Sequence, residues 1–194
     1  MRTEDDAASW LARAPEVPAA WFLRPSRVHG RTHTQRVHIH ARRLTGLLCW
    51  DEDDTALVLL AALVHDIGRR HDGVDPWHGA TSAARAEHLG LLEGLTPEEA
   101  AAVLFAVKYH SRSDERAVRT LERWSDEGGR GRDGPRRPDP VRGLRVLWLL
   151  KDADALDRVR LHYPRGADPA MLRHRETVEL MPFAVELYAV YPDR

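Results

Sequence analysis

The chain has a single cysteine, Cys49, among 194 residues, so an intrachain disulfide and a cysteine-built metal cluster are both excluded. One thiol with no partner suits a reducing interior. No apolar run approaches the roughly 18 residues needed to cross a bilayer. The N-terminal MRTEDDAASW lacks the basic start and apolar core of a signal peptide, so a cytoplasmic location without membrane attachment is expected. Charge of one sign is lacking too: 29 Lys and Arg stand against 30 Asp and Glu. No global field points to a nucleic-acid partner, and that class is disfavoured at this stage. Strand-like alternation and internal repeats are also missing. With 43% hydrophobic residues the chain has enough apolar material for a real core.

What the chain has in excess is histidine, eleven in all. The segments that carry them are helical in pattern. A short helix is expected near 5–13, and a longer one over about 33–50, where Val37, Leu44 and Leu48 form a stripe. DEDD at 51–54 supplies N-caps and negative charge for TALVLLAALVHD, apolar nearly all round and so expected to be the buried central helix. Gly68 is placed to end it. Further helices are expected at 78–92, from Pro97 to His110 behind a Thr96/Glu99 capping box, and at 114–124. The Gly/Pro/Arg-rich stretch 125–140 reads as a surface loop. VRGLRVLWLLKDADALDRVR is helical again, and a last helix is expected over 168–190 despite Pro182. The fold class is all-α: one helical domain over 1–194 with its core at about 30–158.

His65-Asp66 closes the most apolar helix. Helical spacing back from His65 meets Ala62, Ala61, Val58 and Leu57, so the imidazole points into the core, where an uncompensated polar group is costly. Asp154 lies on the stripe of Leu150 and Leu147, so its carboxylate must be paired, protonated or metal-bound. His33 shares a stripe with Val37, His40 and Leu44. Alone, each would read as a hydrogen-bonded core residue; together, N and O donors from three distant segments suit a divalent transition metal. Asp152 reads as solvent-directed and Asp157 as a helix-end residue.

The order His33 in HTQRV, then AALVHDIG at 61–68, then KDADALD at 151–157 resembles the HD superfamily of metal-dependent phosphohydrolases, over about residues 30–158. The resemblance implies an HD-type helical bundle with a central metal site whose ligands are His33, His65, Asp66 and Asp154. Asp154 is preferred to Asp152 because the family's aspartate sits in a context like Ala153-Asp154-Ala155-Leu156. In two-metal subfamilies the HD aspartate bridges and one histidine from each of two further helices holds the second ion; the matching positions are His78 and His110. Their plain reading is a helix-start residue and a dipole partner. His29, His38, His40, His71, His88, His162 and His174 read as surface or packing residues, His29 being the one placed to line a pocket mouth.

Four cations near these ligands are candidates for substrate phosphate: Arg36 and Arg69 first, then Lys108 and Lys151. The resemblance implies hydrolysis of a nucleotide or other small phosphoester, with Asp66 as the catalytic residue that orients water or takes its proton, and with Mn, Fe, Co, Ni or Zn, one ion or two. Two alternatives share the scaffold: a di-iron oxygenase, for which the same six ligands serve, and a non-catalytic nucleotide-binding regulatory module. Departures narrow the family choice. SRSDER follows His110 where cyclic-dinucleotide esterases carry Gly-Tyr-Pro. Arg69 and Arg70 stand where alarmone hydrolases carry acids and where small nucleotidases use a carboxylate; Asp72 and Asp75 are the nearest substitutes.

Overall fold

The computed structural model describes residues 6–126, 137–161 and 166–193. Most of the expected 125–140 loop, and His162, lie outside the described residues. The described residues form eight α-helices joined by turns and short 3-10 segments, with no strand among them. The helices are α1 (Ala7–Ala12), α2 (Arg31–Leu47), α3 (Glu52–Val64), α4 (His78–His88), α5 (Pro97–Tyr109), α6 (Asp114–Asp126), α7 (Pro140–Leu156) and α8 (Met181–Val190). None is long and apolar enough to cross a membrane.

Local chemistry sets several of the starts. The Asp51 carboxylate accepts the Asp54 N–H at 2.8 Å and opens α3. Thr96 and Glu99 form the full capping box of α5, with Pro97 in its first turn. Asp139 caps α7 in the same way, ahead of Pro140. The apolar α3 packs against α2, α5 and α7, so the all-round hydrophobic helix is the central one. Two arginines of α7 brace it: Arg142 Nε and Arg145 each donate to buried Asp54 at 2.6 Å.

Short connections make neighbouring helices run up and down, which sorts their ends onto two levels. One level gathers the start of α2 and α4 and the finish of α3, α5 and α7. The turns 48–51 and 89–96 lie at the other. Two glycines permit the close approach at the first level. A β-carbon on Gly68 would lie 2.3 Å from the Ser82 backbone nitrogen, and one on Gly79 2.5 Å from the Val107 carbonyl oxygen. Gly68 was expected to end α3, but α3 stops at Val64; what Gly68 supplies is contact between the 65–68 turn and α4.

The continuous helix expected over 168–190 is instead two 3-10 pieces, Pro169–Met171 and Arg175–Leu180, followed by α8. Pro182 cannot sit inside a helix without a lost hydrogen bond and a clash, so the helix begins there. Asp152 is the other cause. Expected to face solvent, it is fully buried and accepts from the backbone N–H groups of Arg173 and His174, from His174 Nδ1 and from the Thr177 hydroxyl. One carboxylate thus pins the last segment to α7.

His40, in the α2–α8 contact beside Phe183, is wholly buried with neither ring nitrogen hydrogen-bonded, and burial lowers its pKa to about 4. The unfolded chain, with His near 6.5, binds more protons than the folded one between these values. The stability His40 contributes is therefore complete above pH 6.5 and lost as pH falls toward 4. At pH 5 the loss is about 2 kcal/mol. Denaturant titrations at pH 7 and pH 5 should show that difference shrink in His40→Leu.

Candidate metal centre

His33 stands in the first turn of α2, His65 directly after α3, His78 at the start of α4, His110 directly after α5, and Asp154 in the last turn of α7. The up-and-down order of the helices brings all five to one level, around Asp66. His33 and His65 are fully buried, Asp66, His78 and His110 nearly so, and Asp154 is about a third exposed.

Each imidazole is fixed through Nδ1. His65 Nδ1 reaches the Ala62 carbonyl at 2.8 Å, His110 Nδ1 the Val107 carbonyl at 2.7 Å, and His78 Nδ1 the Asp75 carbonyl. His33 Nδ1 reaches the buried Asp157 carboxylate at 2.7 Å. Carbonyl and carboxylate oxygens only accept, so in the neutral ring each Nδ1 carries the hydrogen and each Nε2 presents a lone pair. Those lone pairs converge in two couples: His33 and His65 Nε2 lie 3.1 Å apart, His78 and His110 Nε2 2.8 Å apart. Facing lone pairs at such separations need a proton or a cation between them.

Asp66 faces both couples, one with each oxygen. Oδ2 lies 3.6 Å from His33 Nε2 and 3.7 Å from His65 Nε2; Asp154 Oδ1 lies 3.4 and 4.0 Å from the same two nitrogens. Oδ1 lies 3.0 Å from His78 Nε2 and 3.6 Å from His110 Nε2. For metal–ligand bonds of about 2.1 Å, neighbouring donor atoms sit roughly 3.0 to 3.4 Å apart, close to these distances. Asp66 Oδ1 is also buried without a hydrogen bond, the condition of an oxygen whose partner is not a hydrogen. His33, His65, Asp66 and Asp154 could hold one ion, and His78, His110 and Asp66 a second. Three triplets bring one donor atom from each residue within 4.8 Å of the others: His33/His65/Asp154, His65/Asp66/His110 and, drawing in His29, His29/His33/Asp66.

The electrostatics suit cation binding. Burial lowers the pKa of His65 to about 3, which keeps its Nε2 a lone-pair donor. Burial alone would raise Asp66, but the pull of His65 and the other imidazoles around it, with the His29 hydrogen bond, hold this carboxyl well below its usual range. For Asp154 burial is likewise outweighed, by His33 and His65. Burial and Arg160 act to lower His33, yet its hydrogen bond to Asp157 and the nearby Asp66 carboxylate outweigh them and raise it. The Asp157 contact also makes His33 Nε2 the more basic donor.

A cleft of about 490 Å³ opens over Asp66, Asp154, His78 and His110, with His29, Arg69, Asp72, Asp75, Arg158 and Arg160 among its walls. His29 Nδ1 contacts Asp66 Oδ2 at 2.9 Å, and Arg69 Nε donates to the same oxygen at 3.1 Å. Of the four cations expected to meet substrate, Arg69 alone is among the residues lining this cleft. Arg36 is fully buried, its guanidinium bonded to Asp157, Asp193 and the Tyr191 carbonyl. Lys151 donates to Asp114 and the Arg112 carbonyl. Lys108 lines a different hollow, beside Tyr109. Sequence reasoning passed over Arg158 and Arg160; their signal is position, immediately after the helix that carries Asp154. It also passed over Asp157, a buried carboxylate with three partner side chains, His33, Arg36 and Arg160.

Comparison with curated proteins and with solved structures gives no match. The family model for the HD domain matches residues 30–159, a span that begins one residue before α2 and includes every donor around Asp66 named above, His29 excepted. On that match, and on the all-helical frame that carries the His-Asp pair at its centre, the chain belongs to the HD-domain family.

Proposed function

We propose that this chain is a metal-dependent phosphohydrolase acting on a nucleotide or other small phosphoester. The observation that carries the reading is the Asp66 carboxylate, turned toward one pair of lone-pair imidazoles with each oxygen and left without a hydrogen bond at Oδ1. His33, His65, Asp66 and Asp154 would hold one divalent ion, and His78 and His110 with Asp66 a second. When bound, such ions acidify water and polarise a phosphoryl oxygen. The chain's own groups complete the site. Asp66 stays anionic and accepts a proton or orients the attacking water. His29 holds a hydrogen between its Nδ1 and Asp66 Oδ2 at the cleft wall. Arg69, Arg158 and Arg160 place positive charge where the equatorial phosphoryl oxygens would lie. The buried Asp157 fixes the tautomer and tilt of His33.

A di-iron oxygenase is the second reading, favoured by one feature: six donor residues in two sets around a shared carboxylate. The three arginines on the cleft wall, Arg69, Arg158 and Arg160, speak for an anionic phosphoester and put that alternative second.

Metal analysis of the protein loaded with Mn, Fe, Co, Ni or Zn should give two ions per chain. His78→Ala and His110→Ala should each lower this to one, and His65→Ala should abolish tight binding. Hydrolysis of a panel of nucleotides and aryl phosphoesters should be metal-dependent and fall at least about 100-fold in Asp66→Asn. No turnover with any ion, together with two irons and oxygen uptake, would sink the hydrolase in favour of the oxygenase. Asp157→Asn should weaken metal binding about 10- to 100-fold, read by competition with a chromogenic chelator on protein shown to be folded by circular dichroism.

A further inference from the structure

Outside the cleft, a hollow of about 830 Å³ lies between the end of α5 and one face of α6. Lys108, Arg116, Arg119 and Arg123 line it, with Glu122 as the one carboxylate among its lining residues. Among the described residues none of these four cations lies within salt-bridge distance of a carboxylate, in a chain whose net charge is −1. Most surface arginines are solvated singly; these are ordered. Arg116, Arg119 and Arg123 fall at helical intervals of three and four within α6, which puts them on one stripe. Successive members within α6 rise by about 4.5 and 6 Å, a spacing that an extended sugar–phosphate chain can follow.

Aromatic rings are set among the charges. Tyr109 and Trp124 line the same hollow. Trp77 stands at its rim, 59% exposed although an indole is costly to leave in water, with the Arg112 guanidinium stacked 3.4 Å from its ring centre. The rim is shared with the metal cleft. Pro76, His78 and Ser111, the chain neighbours of Trp77 and Arg112, line the cleft, and the Ser111 hydroxyl donates to the Pro76 carbonyl at 3.2 Å, tying the two walls together.

We propose that this groove binds single-stranded nucleic acid, with phosphates on the arginine stripe and a base stacked on Trp77. Unpaired cations attract any polyanion, but an exposed, cation-backed indole adds affinity only for a ligand with flat rings to lay on it. The acidic side chains of a peptide carry no rings, and in a duplex the bases are already stacked on one another. Near-zero net charge hides the stripe, because it sums both signs over the whole chain. The groove's position would hand the end of a bound strand to the metal cleft, yet binding here does not depend on hydrolysis there.

The test is fluorescence anisotropy of a labelled short oligothymidylate with the full chain, in EDTA so that no cleavage occurs. Saturable binding is expected, with log affinity falling against log salt at a slope of roughly −3 for four phosphate contacts. The triple variant Arg116→Gln, Arg119→Gln, Arg123→Gln should flatten that slope to roughly −1 and weaken binding. Trp77→Ala should weaken it about tenfold or more with the slope unchanged. His65→Ala should bind as the parent does, which separates the groove from the metal cleft. The proposal is overturned if no saturable binding is seen, if the stripe and Trp77 variants bind like the parent, if His65→Ala abolishes binding, or if duplex or poly-glutamate binds as tightly.

Discussion

At the junction of α2 and α7 a single buried carboxylate, Asp157, accepts from His33, Arg36 and Arg160 at once. A charge in that position is tolerable only because it is fully paired; removing a partner of such a group costs about 3–5 kcal/mol. Through Arg36 the same carboxylate reaches the Tyr191 carbonyl and Asp193, so the C-terminal residues belong to the structure that holds His33. Fold and site meet here. The hydrogen bond that orients the His33 ring is also one that pairs a buried carboxylate.

A second constraint acts on the other imidazoles. His65, His78 and His110 each direct Nδ1 to a carbonyl three residues earlier in the chain. That local hydrogen bond costs the fold little and decides which nitrogen is left for chemistry. The rings are thereby oriented before any cation arrives, and the repulsion between facing lone pairs is held in place by packing from four helices. Pre-orientation of this sort lowers the conformational cost of binding. The close helix approach that it requires is met by the absence of side chains at Gly68 and Gly79.

Much of this was legible in the residues. Helix positions followed from apolar spacing and caps, and the Thr96/Glu99 box and the central place of α3 were written in local pattern. The inward direction of His33, His65 and Asp154 followed from helical faces. Partners far along the chain were not legible. Asp152 and Asp157 bond to residues 21 to 25 and up to 124 positions away, and helical spacing says nothing of what waits opposite. Arg36 was expected to meet substrate because it follows His33 by one turn; that same turn carries it away from the cleft into the buried knot with Asp157. The C-terminal segment departs from a continuous helix for the same reason, since tertiary hydrogen bonds to Asp152 and the position of Pro182 override local preference.

The sorting of helix ends onto two levels has a consequence for how the chain tolerates change. Every donor to the centre comes from the level where α2 and α4 begin and α3, α5 and α7 finish, so the connections 65–77 and 110–113 are held to fixed lengths by the geometry they deliver. The turns 48–51 and 89–96 serve no donor. New residues, a grafted peptide or relocated chain ends could enter there with the helices still arriving at the centre in their present order. The His and Asp donors occupy one end of the bundle and leave the other open to remodelling.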